Sequence, residues 1–367
     1  MSAIDPEPGS TGRRPPVKAG DASLEHRYHG AVEGLRTVDT NGNSVDVSII
    51  VVAWNVKKLL QECLESVYEE TKGICFEVIY VDNASKDGSV EMVRERFPDV
   101  RILENQENKG FIKANNQGIE IARGRYVLLL NSDTLVLDNA IAKTVRFADA
   151  HPDAAVVGCR VLNPDRTLQR TCFMYPSALN TFLAATYLYK VFPRSRFFGR
   201  EHMTWWAFDG VRDVETVCGC YSLVRREAID QVGLMDETYF VYGDDPDWCF
   251  RFRKAGWRIM FTPDPQIIHY GGQNTSQMAR RFRWQLEGSK LIFMRLHGCR
   301  WTFLLARFFA GLFFLLRVPY WLFKAALRRD GRKMAIARAG TYLIGGFYCL
   351  LNWKKLLMNK DVVGDRL

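Results

Sequence analysis

An α/β protein built on a parallel sheet is what this sequence predicts. Between Val47 and Ala150, short apolar runs alternate four times with helical patterns. Such alternation builds parallel strands joined by right-handed crossover helices. Each run ends in, or leads into, a cluster of Asn, Asp, Ser, Gly or Lys. Ligands of open parallel sheets gather at that edge. At 367 residues and 47% hydrophobic content, the chain can fill one large domain or two ordinary ones.

The elements follow in order. Residues 1–45 are rich in Pro, Gly, Ser, Thr and charge. They are expected to be a disordered segment, without the apolar core of an export signal. Val47–Ala53 is a short apolar run, as in a buried parallel strand, and Lys57–Glu69 is helical. Phe76–Val81 is the second strand and Ser89–Phe97 its helix. Val100–Leu103 and Ile112–Ala122 repeat the unit, then Tyr126–Leu130 and Asn139–Ala150. After the Ala/Val run that ends at Cys159 the rhythm is lost. Strands are expected at Val214–Val217 and Cys220–Val224, and a long helix from Gln277 to Leu296.

The net charge of +9 is unevenly placed. From Arg280 to Leu367 there are 18 Lys plus Arg against 4 Asp plus Glu, or +14, which leaves about −5 for the rest. A basic tail suits nucleic acid or an anionic membrane surface, and its company favours the membrane. Trp301–Phe323 is nearly all apolar and aromatic, interrupted by Arg307 and Arg317. No uncharged run in it reaches the roughly 18–20 residues of a clean spanning helix. Thr341–Leu351 is a second, shorter run. Residues 298–367 are therefore expected to be a basic, apolar helical tail, peripheral to the cytoplasmic face of the membrane or partly inserted. Helices packed on the core are the plainer alternative. The nine cysteines are odd in number and scattered. Cys218-Gly-Cys220 has no second pair to make a zinc site, so reduced thiols in a cytoplasmic setting are expected. There is no Gly-x-Gly-x-x-Gly after the first strand and no phosphate-loop signature, which disfavours a dinucleotide oxidoreductase or a phosphate-loop NTPase.

The strand ends carry the candidate ligand groups. They are Ala53 and Asn55, then Asp82 and Asn83. Next come Lys109 and Gly110, with Asn115 and Asn116 on the following helix, and then Asn131, Ser132 and Asp133. Asp82 can accept bonds from a nucleoside, Lys109 can meet a diphosphate, and Asp133 offers a hard oxygen to a divalent cation. Downstream, Tyr242-Gly-Asp-Asp-Pro-Asp-Trp248 crowds Asp244, Asp245 and Asp247 at a loop-to-helix junction. A helix N-terminus tolerates negative charge, and crowded carboxylates raise one another's pKa, which suits a proton acceptor near neutral pH.

In order and spacing these segments resemble the inverting GT-A glycosyltransferases of family 2, close to the rhamnosyltransferase-like members. The resemblance runs from about Val47 to Ser276. It rests on Val47–Asn55, Val81–Ser85, Asn108–Phe111 with Asn115-Asn116, Leu130–Thr134, Val224–Ala228, Tyr242–Trp248 and Ile268-His-Tyr-Gly-Gly272. It implies a GT-A domain over 46–297, with a Rossmann-like nucleotide-binding half and a mixed-sheet acceptor half. It also implies a nucleotide diphosphate sugar donor, Asp82 on the base, Asp245 as catalytic base beside Asp244, and Mg²⁺ or Mn²⁺ held by Asp133 and His269. One departure stands out. The usual Asp-x-Asp is Asn131-Ser-Asp133 here, one carboxylate short. On the acceptor side, Trp205, Trp206, Gly219, Tyr242 and Asp247 are the candidates. The implied activity is transfer of a sugar, with rhamnose suggested, to a glycan or polyprenyl-linked acceptor. The rivals are a soluble transferase with another acceptor, and an inactive nucleotide-sugar binder or membrane scaffold on the same fold.

Overall fold

A computed structural model describes residues 45–271, 279–327 and 331–357, with 279–283 as backbone only. The expected disordered segment falls almost wholly outside them. So do Gly272, Ser276 and the first residues of the helix expected from Gln277.

The four anticipated β/α units are present. They are β1 (Val47–Ala53), α1 (Lys57–Glu70), β2 (Phe76–Asp82), α2 (Ser89–Arg96), β3 (Arg101–Glu104), α3 (Phe111–Ile121), β4 (Tyr126–Asn131), a short β5 (Thr134–Leu137) and α4 (Ala140–Ala150). β3, β2, β1 and β4 lie side by side and parallel. All seven residues of β1 and of β2 are buried, which is why their sequences are mostly apolar; the exceptions inside them, Ser48 and Glu77, bond each other, and Glu77 pairs with Arg101 and Arg123. Alternate residues face opposite sides. Ile50, Val52, Ile79 and Val81 join the core on one face with Ile112 and Ile119 of α3. Ile49, Val51, Val78 and Tyr80 meet Leu60 and Leu64 of α1 on the other.

Beyond α4 the sheet turns mixed, and the expected loss of rhythm follows from that. β6 (Ala154–Leu162), the two-residue strands β7 (Leu168–Gln169), β8 (Cys172–Phe173), β9 (Arg212–Asp213) and β10 (Thr216–Val217), and β11 (Tyr221–Arg225) come next, followed by β12 (Arg258–His269). The order across the sheet is β3-β2-β1-β4-β11-β6-β12-β5. β11 runs antiparallel between β4 and β6, and β12 runs parallel to β6. β8 and β10 pair on their own, with Cys172 opposite Val217. Between them lie α5 (Ala178–Ala185) and the single turn α6 (Leu188–Val191). α7 (Arg226–Val232) and α8 (Asp244–Lys254) cover the second half.

The C-terminal part is helical: α9 (Ala279–His297), α10 (Arg300–Leu315), α11 (Val318–Leu327), α12 (Arg332–Leu351) and a 3₁₀ turn at Trp353–Leu356. α10 packs on both α12 and α5. Helical structure over 300–327 and 332–351 makes two segments of 28 and 20 residues. Both are long and apolar enough to cross a membrane by length and composition, and Arg307 and Arg317 still interrupt the first. The arginines that interrupt the first run serve the fold. Arg307 donates to the carbonyls of Cys349 and Leu350 at the end of α12. Arg317 is buried, lies over the rings of Phe313 and Tyr187, and donates to the carbonyl of Ala184.

Candidate active site at the carboxyl edge of the sheet

The carboxyl ends of β1, β2 and β4 form one edge, and the polar residues gathered there build it layer by layer. Ala53 closes β1, and its carbonyl takes the N–H of Asn83 at 3.0 Å. Asn55 sits in the left-handed region at φ 54°. Its N–H donates to Ser85 Oγ (3.0 Å) and its Oδ1 accepts from the Lys86 N–H (2.7 Å). Asp82 is buried; Tyr80 donates to Oδ1 at 2.6 Å and the Ser85 N–H to Oδ2 at 2.9 Å. Each oxygen retains a free lone pair. Asn83 is also buried and ties in the next loop. Its Nδ2 donates to the Gly110 carbonyl (3.1 Å), and its Oδ1 accepts from Asn105 (3.1 Å) and the Lys109 N–H (3.4 Å). The half-buried Lys109 ammonium has no ion-pair partner among the described residues.

Asn115 and Asn116 on α3 differ in use. Asn115 is buried and donates to the Phe111 carbonyl at 2.9 Å. Asn116 spends its amide on the segment before α8. It donates to the Met235 carbonyl (2.9 Å) and Glu237 (3.2 Å), and accepts from the Met235 N–H (3.1 Å). In this structure the Asn116 amide thus ties α3 to that segment.

β4 ends in Asn131-Ser132-Asp133. His269, the last residue of β12, comes alongside. Its Nε2 lies 3.3 Å from Asp133 Oδ1 and 3.3 Å from Asn131 Nδ2. Its Nδ1–H donates to Gln169 Oε1 at 2.6 Å, while Gln169 Nε2 donates to the His269 carbonyl and to Asn163. That arrangement leaves the Nε2 lone pair facing a carboxylate. Burial pushes the imidazole toward its neutral form, but the Asp133 carboxylate outweighs it and holds the His269 pKa above the usual value. A divalent ion suits the place between the imidazole nitrogen and the carboxylate. Adjacent ligands of an octahedral ion stand about 3 Å apart, close to the observed spacing. The buried Ser132 hydroxyl beside them has no partner among the described residues, so a polar ligand would find a waiting group. No third His, Cys, Asp or Glu joins the pair among the described residues. The fit is to Mg²⁺ or Mn²⁺, which keep waters and take substrate phosphates. Gln169, which orients His269, was not legible in the sequence, because it lies 100 residues away in a two-residue strand.

The acid pair enters from the other side. Tyr242 and Gly243 are both left-handed, at φ 62° and 86°, and turn the chain sharply into α8. A side chain at 243 would also meet the Tyr239 ring at 2.6 Å and Ser289 Cβ at 2.9 Å, so glycine is required twice over. Asp244 and Asp245 thus occupy the first turn of α8. Burial raises the pKa of both; nearby Cys218 adds to each, with Asp247 for Asp244 and Asp244 for Asp245. The turn Cys218-Gly219-Cys220 lies against them. A Cβ on Gly219 would stand 2.7 Å from Asp245 Oδ1. The same turn reaches β4 through the Cys220 carbonyl, which accepts from the Asn131 N–H at 3.1 Å. One short segment therefore bridges the acid pair and the Asp133–His269 pair. All nine cysteines are free thiols.

Two acceptor-side candidates are engaged within the fold. Asp247 is buried and both its oxygens are engaged, Oδ2 with Arg251 (2.8 Å) and Oδ1 with His297 of α9 (2.6 Å). Trp206 is a core residue stacked on Phe208 at 4.1 Å. Trp205 is half-buried between the guanidinium groups of Arg196 and Arg212. The first member of each side-chain set was visible in the sequence, but its packing partner was not.

Comparison with known proteins fits this geometry. The family model described as Glycosyl transferase family 2 matches residues 48–233. The N-acetylglucosaminyl-diphospho-decaprenol L-rhamnosyltransferase of Mycobacterium tuberculosis is 28% identical over 214 residues, covering 54% of this chain and 68% of the relative. The O-antigen biosynthesis protein RfbC of Myxococcus xanthus is 27% identical over 228 residues, which are 61% of this chain but 17% of that protein. Among solved structures, the mannosyltransferase PcManGT from Pyrobaculum calidifontis, in complex with GDP-Man and Mn²⁺, superposes with a TM-score of 0.52 at 19% identity. The match covers 85% of this chain and 88% of that one. At that identity the likeness shows the fold, which is the GT-A fold expected. With just over half of its length matched by the family model, the chain belongs to glycosyl transferase family 2.

Proposed function

We propose that this protein is an inverting, metal-assisted hexosyltransferase. It moves a sugar, with L-rhamnose the leading choice, from a nucleotide diphosphate donor to a polyprenyl-linked glycan at the cytoplasmic face of the membrane. The observation that carries this reading is the Cys218-Gly219-Cys220 turn, which brings the acid pair and the Asp133–His269 pair to one sheet edge. In the proposed reaction the acceptor hydroxyl attacks the anomeric carbon as Asp245 takes its proton. The bond to the diphosphate breaks on the opposite face, and its electron pair leaves with the nucleotide. Single displacement needs one base and not two carboxylates in separate roles. Asp244 beside it keeps the basicity of the pair high. Asp82 accepts from the nucleoside and Lys109 meets the phosphates as a point charge. Asp133 and His269 hold the divalent ion, which when bound neutralises charge on the departing diphosphate. The loss of one carboxylate at Asn131 makes metal binding depend on the donor phosphates.

The relatives support the acceptor and sugar only by analogy. The M. tuberculosis protein is named for transfer of rhamnose to a decaprenyl diphosphate sugar. The helices from 298 onward, with their basic residues and apolar surface, form the membrane-binding tail of a catalytic domain spanning 46–297. Thermal-shift screening of the full chain against nucleotide sugars, with and without Mn²⁺, tests the donor and metal together. The nucleotide sugar that serves as donor should raise the melting temperature most, and more so with Mn²⁺. No shift with any nucleotide sugar would overturn the reading. In a chelator, undiminished activity would remove the metal from it.

A further inference from the structure

The excursion between β8 and β10 has not yet been given a role. It leaves the sheet at Phe173 and returns at Thr216, so both stems stand on the small sheet that carries the Cys218-Gly219 turn. In between it makes α5, α6 and an irregular stretch to Arg200. This stretch keeps large apolar side chains in solvent. Val191 is 64% exposed, Phe192 48%, Phe197 54% and Tyr187 38%. Among them stand Lys190, Arg194, Arg196 and Arg200. From Ala178 to Arg200 there is no acidic residue. The Lys190 ammonium lies over the Tyr187 and Tyr189 rings, and the Arg196 guanidinium over Trp205.

The excursion is also joined to the tail. α5 packs along α10, with Phe182 and Phe309 rings 5.1 Å apart. Arg317 binds the Ala184 carbonyl and covers the Tyr187 ring at 4.1 Å. Next to it, Leu316 of the tail is itself 48% exposed.

We infer that residues 187–198 form a second membrane-contact element, which rests an anionic bilayer surface against the acceptor side of the catalytic domain. The inference builds on the membrane reading of the tail. The charge is of one sign and sits among exposed aromatic rings, the combination that enters an anionic lipid interface. A protein partner would be expected to meet a mixed polar rim instead. The element emerges from the β8–β10 stems beside Gly219 and Asp245.

Flotation of the full-length protein with vesicles of phosphatidylcholine, alone or mixed with phosphatidylglycerol, tests this. The wild-type chain should float with the mixed vesicles. Phe192→Ser combined with Phe197→Ser removes two side chains that are already about half in solvent, so folding should be intact by circular dichroism and melting. The vesicle-bound to free ratio should fall about tenfold, because each ring loses part of its transfer free energy. Lys190→Gln combined with Arg194→Gln should lower that ratio severalfold and flatten its salt dependence. If the phenylalanine variant partitions like the wild type, the element is no membrane contact and the tail alone holds the enzyme. If the wild-type chain floats with neither vesicle, both the tail reading and this inference fail.

Discussion

Gly219→Ala is the sharpest probe of the acid pair. An alanine Cβ would lie 2.7 Å from Asp245 Oδ1, 0.7 Å inside the 3.4 Å at which contact becomes ordinary. Gly219 has no left-handed backbone to lose, so the substitution acts through that contact. Asp245 sits on the first turn of α8, and it must give way by most of the 0.7 Å. A misplacement on the order of 1 Å at a reacting group costs about a hundredfold, so turnover should fall between roughly ten- and a hundredfold. The donor Michaelis constant should stay within about twofold, because the nucleotide side is untouched. The assay is release of nucleoside diphosphate with the donor that the thermal-shift panel selects. Gly210→Ala is the control, since nothing lies within 4 Å of its added carbon. Wild-type turnover in Gly219→Ala would show that Asp245 does not act from this position.

Asp245→Asn should lower turnover by about a hundredfold or more with donor binding kept; if Asp244→Asn alone abolishes turnover, the base is one residue earlier. Gln169→Ala should weaken Mn²⁺ binding by about ten- to a hundredfold in calorimetry with nucleoside diphosphate present, and an unchanged affinity would mean that His269 is oriented without it. Asp247→Ala should cost about 3 kcal/mol in urea unfolding, because it leaves Arg251 and His297 without their shared buried carboxylate; a loss under about 1 kcal/mol would contradict this. The pH dependence has a definite sign. Burial raises the Asp244 carboxyl to about 7 from an ordinary 3.8. Between those values the folded chain binds more protons than the unfolded one, so this site's contribution to stability falls as pH rises from about 4 to about 7, then levels off. Asp244→Asn should remove that slope in denaturant midpoints, and an identical slope in the variant would refute the assignment.

The first half of the fold was legible because buried parallel strands leave apolar runs with few polar breaks. β1 matches its expected bounds, and β2 and β4 extend theirs by one residue each. β12 was not read as a strand. Pro263 and Pro265 fall inside it, and the sheet absorbs them in a register shift between Phe261 and Gln266. The aspartates at the sheet edge were visible as residue types at strand ends. Their uses were not, because each depends on a distant partner. Asp247 looked like a member of the acidic cluster until His297, 50 residues on, closed over it. Asn116 looked like a ligand group until Met235 took its amide. Arg317 in an apolar run reads as a charge seeking head groups, and only packing shows it bound to Ala184.

The bond from His297 to Asp247, with Ser289 donating to the Val241 carbonyl at 3.2 Å, has a geometric consequence. α9 leads to the tail across Gly298 and Cys299, where the helix breaks with Cys299 extended, and α8 carries the acid pair. Pinned together at two points on either side of Gly243, α8 and α9 hold to each other, so any swing of the tail relative to the acid pair falls on Gly298-Cys299 and not on the active-site turn.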